Sequence, residues 1–305
     1  MKPKVKVGLA LGGGAARGWA HIGVIQRLIQ LGIEPDIVCG TSIGALVGAA
    51  YVAGNITKLQ EWVTQLDKLQ TARYFTINRS LQGFVNRERL HRFLNEYVVG
   101  TEQRIETLPK PFATVATDLT TGREIWNTKG SVMDSVWSSI ALPGLFPAIK
   151  QNDRWLVDGG LVNPVPVSVC RALGADVVIA VNLNSDIVGR HFRAESLDNV
   201  ETADSTEAGF TERFTNVIAD YTSNLFKNGN KEDEAPDLMD AIAASINIIQ
   251  DRITRSRMAG DPPEIILSPR LSHIGILEFY RAAEAIEEGW ACVDRYKRDF
   301  DYLLK

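Results

Sequence analysis

The chain reads as an α/β protein whose sheet is built from parallel strands, and two consecutive strand–helix units predict it. Lys4 to Leu11 is a run rich in valine and leucine, stopped by Gly12, Gly13 and Gly14. From Gly18 to Leu31 the apolar residues Trp19, Ile22, Ile25, Leu28 and Ile29 recur at helical spacing, and Gly32 stands where a helix should end. Asp36 to Gly40 repeats the strand, and the small-residue stretch Ile43 to Ala53 repeats the helix, closed by Gly54. Strand then helix, twice over, is the pattern of a parallel sheet covered by helices.

The later elements follow in order. Helical periodicity covers about 57–69 and 87–98. Pro111 to Asp118 is a strand, turned by Thr120–Thr121–Gly122 into a second short strand, Arg123 to Trp126. Ser131 and Asp134 form a capping box for a helix ending near Leu142–Pro143. Trp155 to Asp158 is another strand, Pro164 and Pro166 precede a helix to Leu173, and Asp176 to Leu183 is a buried strand. Between Glu195 and Asp240 there are twelve acidic residues against three basic ones, and most of that stretch lacks apolar periodicity. It reads as a solvated excursion holding one helix, Phe210 to Phe226. A long helix from Leu238 to Met258, a strand from Glu264 to Leu267 and a closing helix from Phe279 to Phe300 complete the chain.

With 305 residues the chain can bury a sizeable core, and 45% hydrophobic with 23% charged residues is the balance of a globular protein. A formal net charge of −4 argues against a nucleic-acid partner, which calls for a basic surface, and leaves peripheral membrane contact open. Cys39, Cys170 and Cys292 are three scattered thiols without a CxxC, which points to a reducing, cytoplasmic setting. Cys39 lies in an apolar run and reads as a buried structural thiol. Lys2, Lys4 and Lys6 before an apolar run imitate a signal peptide, but the run is brief and broken by glycines, so it reads as the first strand. No uncharged apolar stretch reaches the roughly 18 residues of a membrane span.

Three elements carry chemistry. Gly40–Thr41–Ser42–Ile43–Gly44 is a G-x-S-x-G between a strand and a helix, the context in which a sharp turn lifts a serine nucleophile out of a sheet. The glycine loop Gly12–Gly13–Gly14 presents backbone N–H groups to an anion. Nucleotide phosphate is disfavoured there: a dinucleotide fingerprint requires glycine at 17, where Arg17 stands, and a P-loop requires lysine at 19, where Trp19 stands. An oxyanion hole fits better, since adjacent parallel strands bring both turns to one sheet edge. Asp158–Gly159–Gly160 places a third element, an acid at a strand end, where open α/β sheets gather their active sites. Arg17, near a helix N-terminus that disfavours it, either braces the glycine loop or meets an anionic headgroup.

Of the four histidines, His21 lies on the first helix, His91 on a charged amphipathic helix and His191 at the start of the acidic excursion, whereas His273, near the C-terminus, gives the chain order Ser, Asp, His of α/β-hydrolases. Those enzymes place several strands before the nucleophile, and here there is one. A Ser42–Asp158 dyad is then the remaining assignment, and it requires Asp158 to be poorly solvated, because an ordinary aspartate with a pKa near 3.9 is a poor base.

The joint occurrence of LALGGGAARGWAHIGVI at 9–25, GTSIGALVGA at 40–49, ATDLTTGRE at 116–124, SIALPGLFPAI at 139–149 and DGGLVNPVP at 158–166 resembles the patatin-like phospholipase family, in particular its bacterial members and the catalytic domain of neuropathy target esterase. The resemblance implies a three-layer α/β/α sandwich with a core over 5–185; the acidic insertion over 186–240 departs from the family pattern, and 241–305 is expected to complete the same domain. It also implies a Ser42–Asp158 dyad without histidine and an oxyanion hole from Gly12, Gly13 and Gly14. Arg17, Gly40, Gly44, Gly159 and Gly160 would support that site. The implied activity is hydrolysis of phospholipid or lysophospholipid acyl esters without calcium; no metal or cofactor is expected, and a cytoplasmic location leaves peripheral contact with the inner face of the membrane open. An acyltransferase with the same dyad and a non-hydrolytic binding module of the same fold are the alternatives. The apolar loop Leu142–Phe146 could line an acyl pocket, touch a bilayer or simply pack in the core.

Overall fold

A computed structural model describes residues 5–74, 87–143, 145–186 and 238–303. The expected helix 210–226, most of the acidic stretch and His191 lie outside these residues. Eight strands form one sheet in the order β5-β6-β3-β2-β1-β7-β8, with β4 also on β3. They are β1 (Val7–Leu11), β2 (Ile37–Thr41), β3 (Phe112–Asp118), β4 (Glu124–Asn127), β5 (Ile149–Gln151), β6 (Arg154–Asp158), β7 (Val177–Val181) and β8 (Ile265–Leu267). β1, β2, β3, β7 and β8 pair in parallel, whereas β4, β5 and β6 join antiparallel.

The alternation along β1 sets the layers. Val7, Leu9 and Leu11 face a large core with α1 (Ala20–Gln30), α2 (Ile43–Val52) and α9 (Ala282–Arg295). Ala10 faces the opposite side, where it joins Ile37, Cys39 and Val115 beneath α7 (Val167–Ala172). Helices therefore cover both faces, and the three-layer expectation holds. The remaining helices are α3 (Ile56–Thr64), α4 (Lys68–Tyr74), α5 (Arg87–Phe93), α6 (Val132–Ile140), α8 (Leu238–Gly260) and α10 (Lys297–Leu303).

One register detail positions the site. Thr41 of β2 pairs with Val115 of β3, and Asp158 of β6 pairs with Ala116, the next residue along. β4 takes the other edge of β3 beside both of these residues. β2 and β6 thus run towards each other along one edge of β3 and stop head to head. Each strand ends in a tight turn at this junction, so the residues that leave the two strands, Ser42 and Asp158, are forced together.

Differences from the sequence reading are local. β5 was not expected. It pairs with β6 across the two-residue turn Asn152–Asp153, whose φ values of 49° and 61° are the left-handed pair that suits a tight hairpin. α1 starts at Ala20 rather than Gly18, after a 3-10 turn over Ala15–Trp19. The closing helix is a 3-10 turn over Phe279–Arg281 followed by α9 and α10, which are separated at Tyr296.

α1 and α9 cross closely because glycine stands on each. A Cβ at Gly23 would run into the carbonyl of Ile286, and one at Gly289 into the carbonyl of Ala20. Gly289→Val should lower unfolding stability by about 1–3 kcal/mol, the usual cost of overpacking, and a thermal melt against wild type measures it.

Candidate active site

Ser42 occupies the turn between β2 and α2 with φ 56° and ψ −127°, a strained conformation for a residue with a side chain. The flanking glycines make the turn possible: a Cβ at Gly40 would overlap the backbone of Ala45, and one at Gly44 the carbonyl of Leu11. The serine hydroxyl is held out of the sheet, and Ser42 Oγ donates to Asp158 Oδ2 at 2.5 Å. As N-cap of α2, Ser42 also sits at the positive end of that helix dipole.

Asp158 is 1% exposed. Its other oxygen, Oδ1, accepts from the N–H of Gly160 at 2.7 Å. Burial pushes the carboxyl pKa up to about 6, against the lowering effect of the hydrogen bonds from Ser42 and Gly160. This meets the sequence requirement for a poorly solvated acid. Gly159 and Gly160 are dictated by space. A Cβ on Gly159 would strike the carbonyl of Val115, and one on Gly160 the side-chain amide of Gln250.

A residue that sequence reasoning gave no role closes the junction. Ser139, at the end of α6, donates from Oγ to the carbonyl of Val115 at 2.6 Å and accepts from the N–H of Ser42 at 2.9 Å. One buried hydroxyl thus bridges the gap where β2 gives way to β6. Nearby, Thr41 Oγ1 donates to the carbonyl of Asn163 and Thr117 Oγ1 to that of Asp158, both at 2.8 Å. Asn163 in turn donates to Glu124, which is ion-paired with Arg257. A lone Ser, Thr or Asn carries no spacing signal, so only the fold exposes these roles.

The glycine loop lies beside the serine, as expected: a Cβ added to Gly13 would rest 3.4 Å from that of Ser42. The oxyanion expectation for its amides needs correction. The N–H of Gly12 donates to the carbonyl of Val181 at 3.1 Å, and that of Gly13 to the carbonyl of Pro164 at 2.9 Å. Both are spent on holding the loop. The N–H groups of Gly14 and Ala15 have no hydrogen-bond partner among the described residues. Ala15, which the sequence reading left out, lines the same cleft as Ser42 and has a left-handed φ of 49°.

Arg17 is 2% exposed and braces the loop from behind. Its Nε donates to the carbonyl of Gly14 at 3.1 Å and its Nη2 to Asn247 Oδ1 at 2.9 Å. Burial lowers its pKa to about 10, with the charge of Asp186 acting in the opposite sense, so it stays protonated at neutral pH. These contacts are those of a brace for the glycine loop.

Among the described residues, no histidine is hydrogen-bonded to Ser42 or Asp158. His21 is fully buried, its pKa is pulled down to about 4 by burial, and its Nε2 lies 2.8 Å from the carbonyl of Gly12. Facing a carbonyl, that nitrogen must carry the proton. His91 packs near Trp137. His273 is exposed and bonded to Glu284 at 2.6 Å, which removes it from the site. Cys39 is buried and burial raises its thiol pKa well above the usual range, as expected of an inert thiol.

From Ser42 opens an apolar cleft. Trp19, Leu46, Trp62 and Phe93 line it together with Leu142, Leu145 and Phe146 of the proline-ridged loop. Its apolar lining suits a hydrocarbon chain. No helix of the described residues is long and apolar enough to cross a membrane.

A strained serine bonded to a buried carboxylate, beside free amides and an apolar cleft, is an arrangement suited to acyl transfer from lipid-like esters. The chain belongs to the patatin-like phospholipase family, whose model matches residues 9–171. An uncharacterized NTE family protein of Mycobacterium bovis is 30% identical over 97% of this chain and 92% of its own length. Patatin-like phospholipase domain-containing protein 6 of Mus musculus is 32% identical over 59% of this chain, which is 14% of that protein. Among solved structures, VipD from Legionella pneumophila aligns over 96% of this chain and 66% of its own, with a TM-score of 0.45 and 14% identity.

The burial of Asp158 has a thermodynamic signature. Its pKa is near 6 folded and near 3.9 unfolded. The folded state therefore binds the proton more tightly. The stability this gives is fully present below about pH 4 and is lost as pH rises through about 6, a penalty of roughly 3 kcal/mol in the ionised state. Asp158→Asn should accordingly be more stable than wild type at pH 8, by up to about that amount, with the difference shrinking towards pH 4. Urea unfolding of both proteins across this range reads the effect.

Proposed function

We propose that the protein hydrolyses an acyl ester of a phospholipid or lysophospholipid through an acyl-serine formed on Ser42, with Asp158 as its general base. The observation that carries this reading is the 2.5 Å bond between Ser42 Oγ and Asp158 Oδ2 at the mouth of an apolar cleft. Membership of the patatin-like phospholipase family supports the lipid class.

The steps follow from the geometry. An acyl chain in the cleft brings its ester carbonyl to Ser42. As Ser42 Oγ attacks, its proton passes to Asp158, and a tetrahedral oxyanion forms. A carboxylate with a pKa near 6 is about a hundredfold more basic than an ordinary aspartate, yet is still mostly ionised at neutral pH. The oxyanion takes the free N–H groups of Gly14 and Ala15, under the positive end of α2. Collapse breaks the ester bond, and the proton on Asp158 goes to the leaving alkoxide. Water then attacks the acyl-serine, giving up its proton to Asp158; collapse of the second tetrahedral intermediate breaks the bond between Ser42 Oγ and the acyl carbon, Oγ takes the proton back from Asp158, and the carboxylic acid is released. Arg17, buried behind the loop, supports the amides and does not reach a headgroup.

Ser42→Ala and Asp158→Ala should each lower kcat on a p-nitrophenyl acyl ester by at least about a thousandfold, and Ser42→Ala should abolish fluorophosphonate labelling. Turnover that survives in both variants would refute the dyad. His273→Ala should retain wild-type turnover in the same assay.

Phe146 lines the cleft from the apolar loop. Phe146→Asp should cut activity on long-chain, micellar substrate by about tenfold or more, from the burial energy of one aromatic side chain, while leaving a short soluble ester within about threefold. An equal loss on both would make Phe146 a residue of the fold alone.

A further inference from the structure

Helix α8 is amphipathic the wrong way round for ordinary packing. Asn247, Gln250, Asp251 and Thr254 form its buried face, whereas Ile248 and Ile249 are 39% and 48% exposed. Residues at these spacings share one side of a helix, so α8 docks by polar contacts. A buried polar face is stable only where each group finds a partner: Asp251 and Thr254 find theirs within the helix, in Arg255 and the carbonyl of Gln250, whereas Asn247 and Gln250 reach residues around Ser42 and Asp158.

Two contacts reach the two limbs of the site. Asn247 Oδ1 accepts from Arg17 Nη2 at 2.9 Å in the interior, and Arg17 Nε donates to the carbonyl of Gly14 at 3.1 Å. Three residues further on, the side-chain amide of Gln250 fills the space a Cβ on Gly160 would need, with its own oxygen held by Asn184 Nδ2 at 2.9 Å. α8 therefore touches the glycine loop through Arg17 and the turn after Asp158 directly.

The first contact has a geometric consequence. A trans peptide is planar, with its carbonyl and N–H pointing in opposite directions. Arg17 meets the carbonyl of Gly14 twice, through its own backbone N–H at 3.2 Å and through Nε at 3.1 Å, and so fixes the N–H of Ala15, the same peptide unit; the guanidinium is the half of that hold that depends on a side chain. That N–H points away from the guanidinium, and Ala15 lines the cleft of Ser42. The strained φ of 49° at Ala15 is what this orientation costs, and a freed loop would relax it. The guanidinium can hold the carbonyl only if it is itself held, since its long side chain otherwise samples many rotamers. Asn247 supplies that hold.

We propose that Asn247 is a positioning residue for the oxyanion donors, acting through Arg17 to aim the N–H of Ala15 at the acyl carbonyl oxygen. The inference rests on Ser42 being the nucleophile. Residue 247 lies outside the 9–171 match to the family model, 230 positions from Arg17 in the chain. Its effect falls on the transition state, where charge develops on the oxygen, and not on ground-state binding of the chain in the cleft.

The test is steady-state kinetics on p-nitrophenyl butyrate with the full-length protein, together with the rate of inactivation by a fluorophosphonate. Wild type and Ser42→Ala come first: an inactive wild type, or an active Ser42→Ala, overturns the nucleophile assignment before any Asn247 variant is compared. With that in place, Asn247→Ala should lower kcat by about tenfold to a hundredfold, less than outright loss of an oxyanion donor, with KM within about twofold. Inactivation should slow by the same factor. Asn247→Asp, whose carboxylate still accepts from the guanidinium, should keep kcat within about threefold of wild type. In an Arg17→Lys background, where one ammonium replaces the fork, Asn247→Ala should add no further loss. Should the alanine variant not fold, Asn247→Ser, with a hydroxyl too short to reach Arg17, takes its place in every comparison. Wild-type kcat in Asn247→Ala, an equal loss in Asn247→Asp, or an undiminished Asn247→Ala effect in the Arg17→Lys background would each overturn the proposal.

Discussion

The whole site depends on two strands meeting end to end. β2 and β6 approach each other along one edge of β3 and stop at Val115 and Ala116, adjacent residues of that strand. A gap in a sheet ladder normally leaves backbone groups unpaired in the interior, which is costly. Here Ser139 takes the carbonyl of Val115 and the N–H of Ser42 onto one hydroxyl. With the gap sealed, the two residues that turn out of the strands can only face each other. The 2.5 Å contact between Ser42 and Asp158 is thus a property of the sheet register more than of either side chain.

The same burial that makes Asp158 useful makes it expensive. A carboxylate with two hydrogen bonds and almost no water is less stable ionised than in solvent, and its raised pKa states that cost in other terms. Ser42 adds backbone strain. Such local costs persist only when the surroundings over-determine the geometry, and the surroundings here do so twice. The glycines at 40, 44, 159 and 160 admit backbone and side-chain neighbours that any Cβ would exclude. Thr41, Thr117 and Asn163 then tie the strand ends to the loop after Asp158 and, through Glu124 and Arg257, to the end of α8. The glycine loop is held in the same manner, with the carbonyls of Gly12 and Gly14 met by His21 and Arg17.

Much of this was legible before any coordinates. Strand–glycine–helix repeats and a period of two along β1 are local signals, and they gave the layers and the parallel core of the sheet. Ser42 and Asp158 were legible as candidates because each sits next to glycines that mark a sharp turn. What escaped was non-local or very short. β5 spans three residues, too few to show a period, although Asn152–Asp153 is the kind of pair that closes a tight hairpin. Which loop amides remain free depends on Val181 and Pro164, carbonyls that lie far along the chain from Gly12 and Gly13. Sequence spacing could point to the loop but not to Gly14 and Ala15 within it. Ser139 and Asn247 are single polar residues on helices, and nothing but the fold reveals what they hold. The acidic stretch and its expected helix lie outside the described residues.

A serine activated by a desolvated carboxylate without histidine is the central proposal. The most direct measurement is the rate constant for fluorophosphonate attack on Ser42 as a function of pH. A single ionisation with its midpoint near 6, unchanged in His273→Ala and missing from the residual reaction of Asp158→Asn, is the result expected. A profile that keeps its midpoint after Asp158→Asn would mean that another group takes the proton, and the dyad would have to be abandoned.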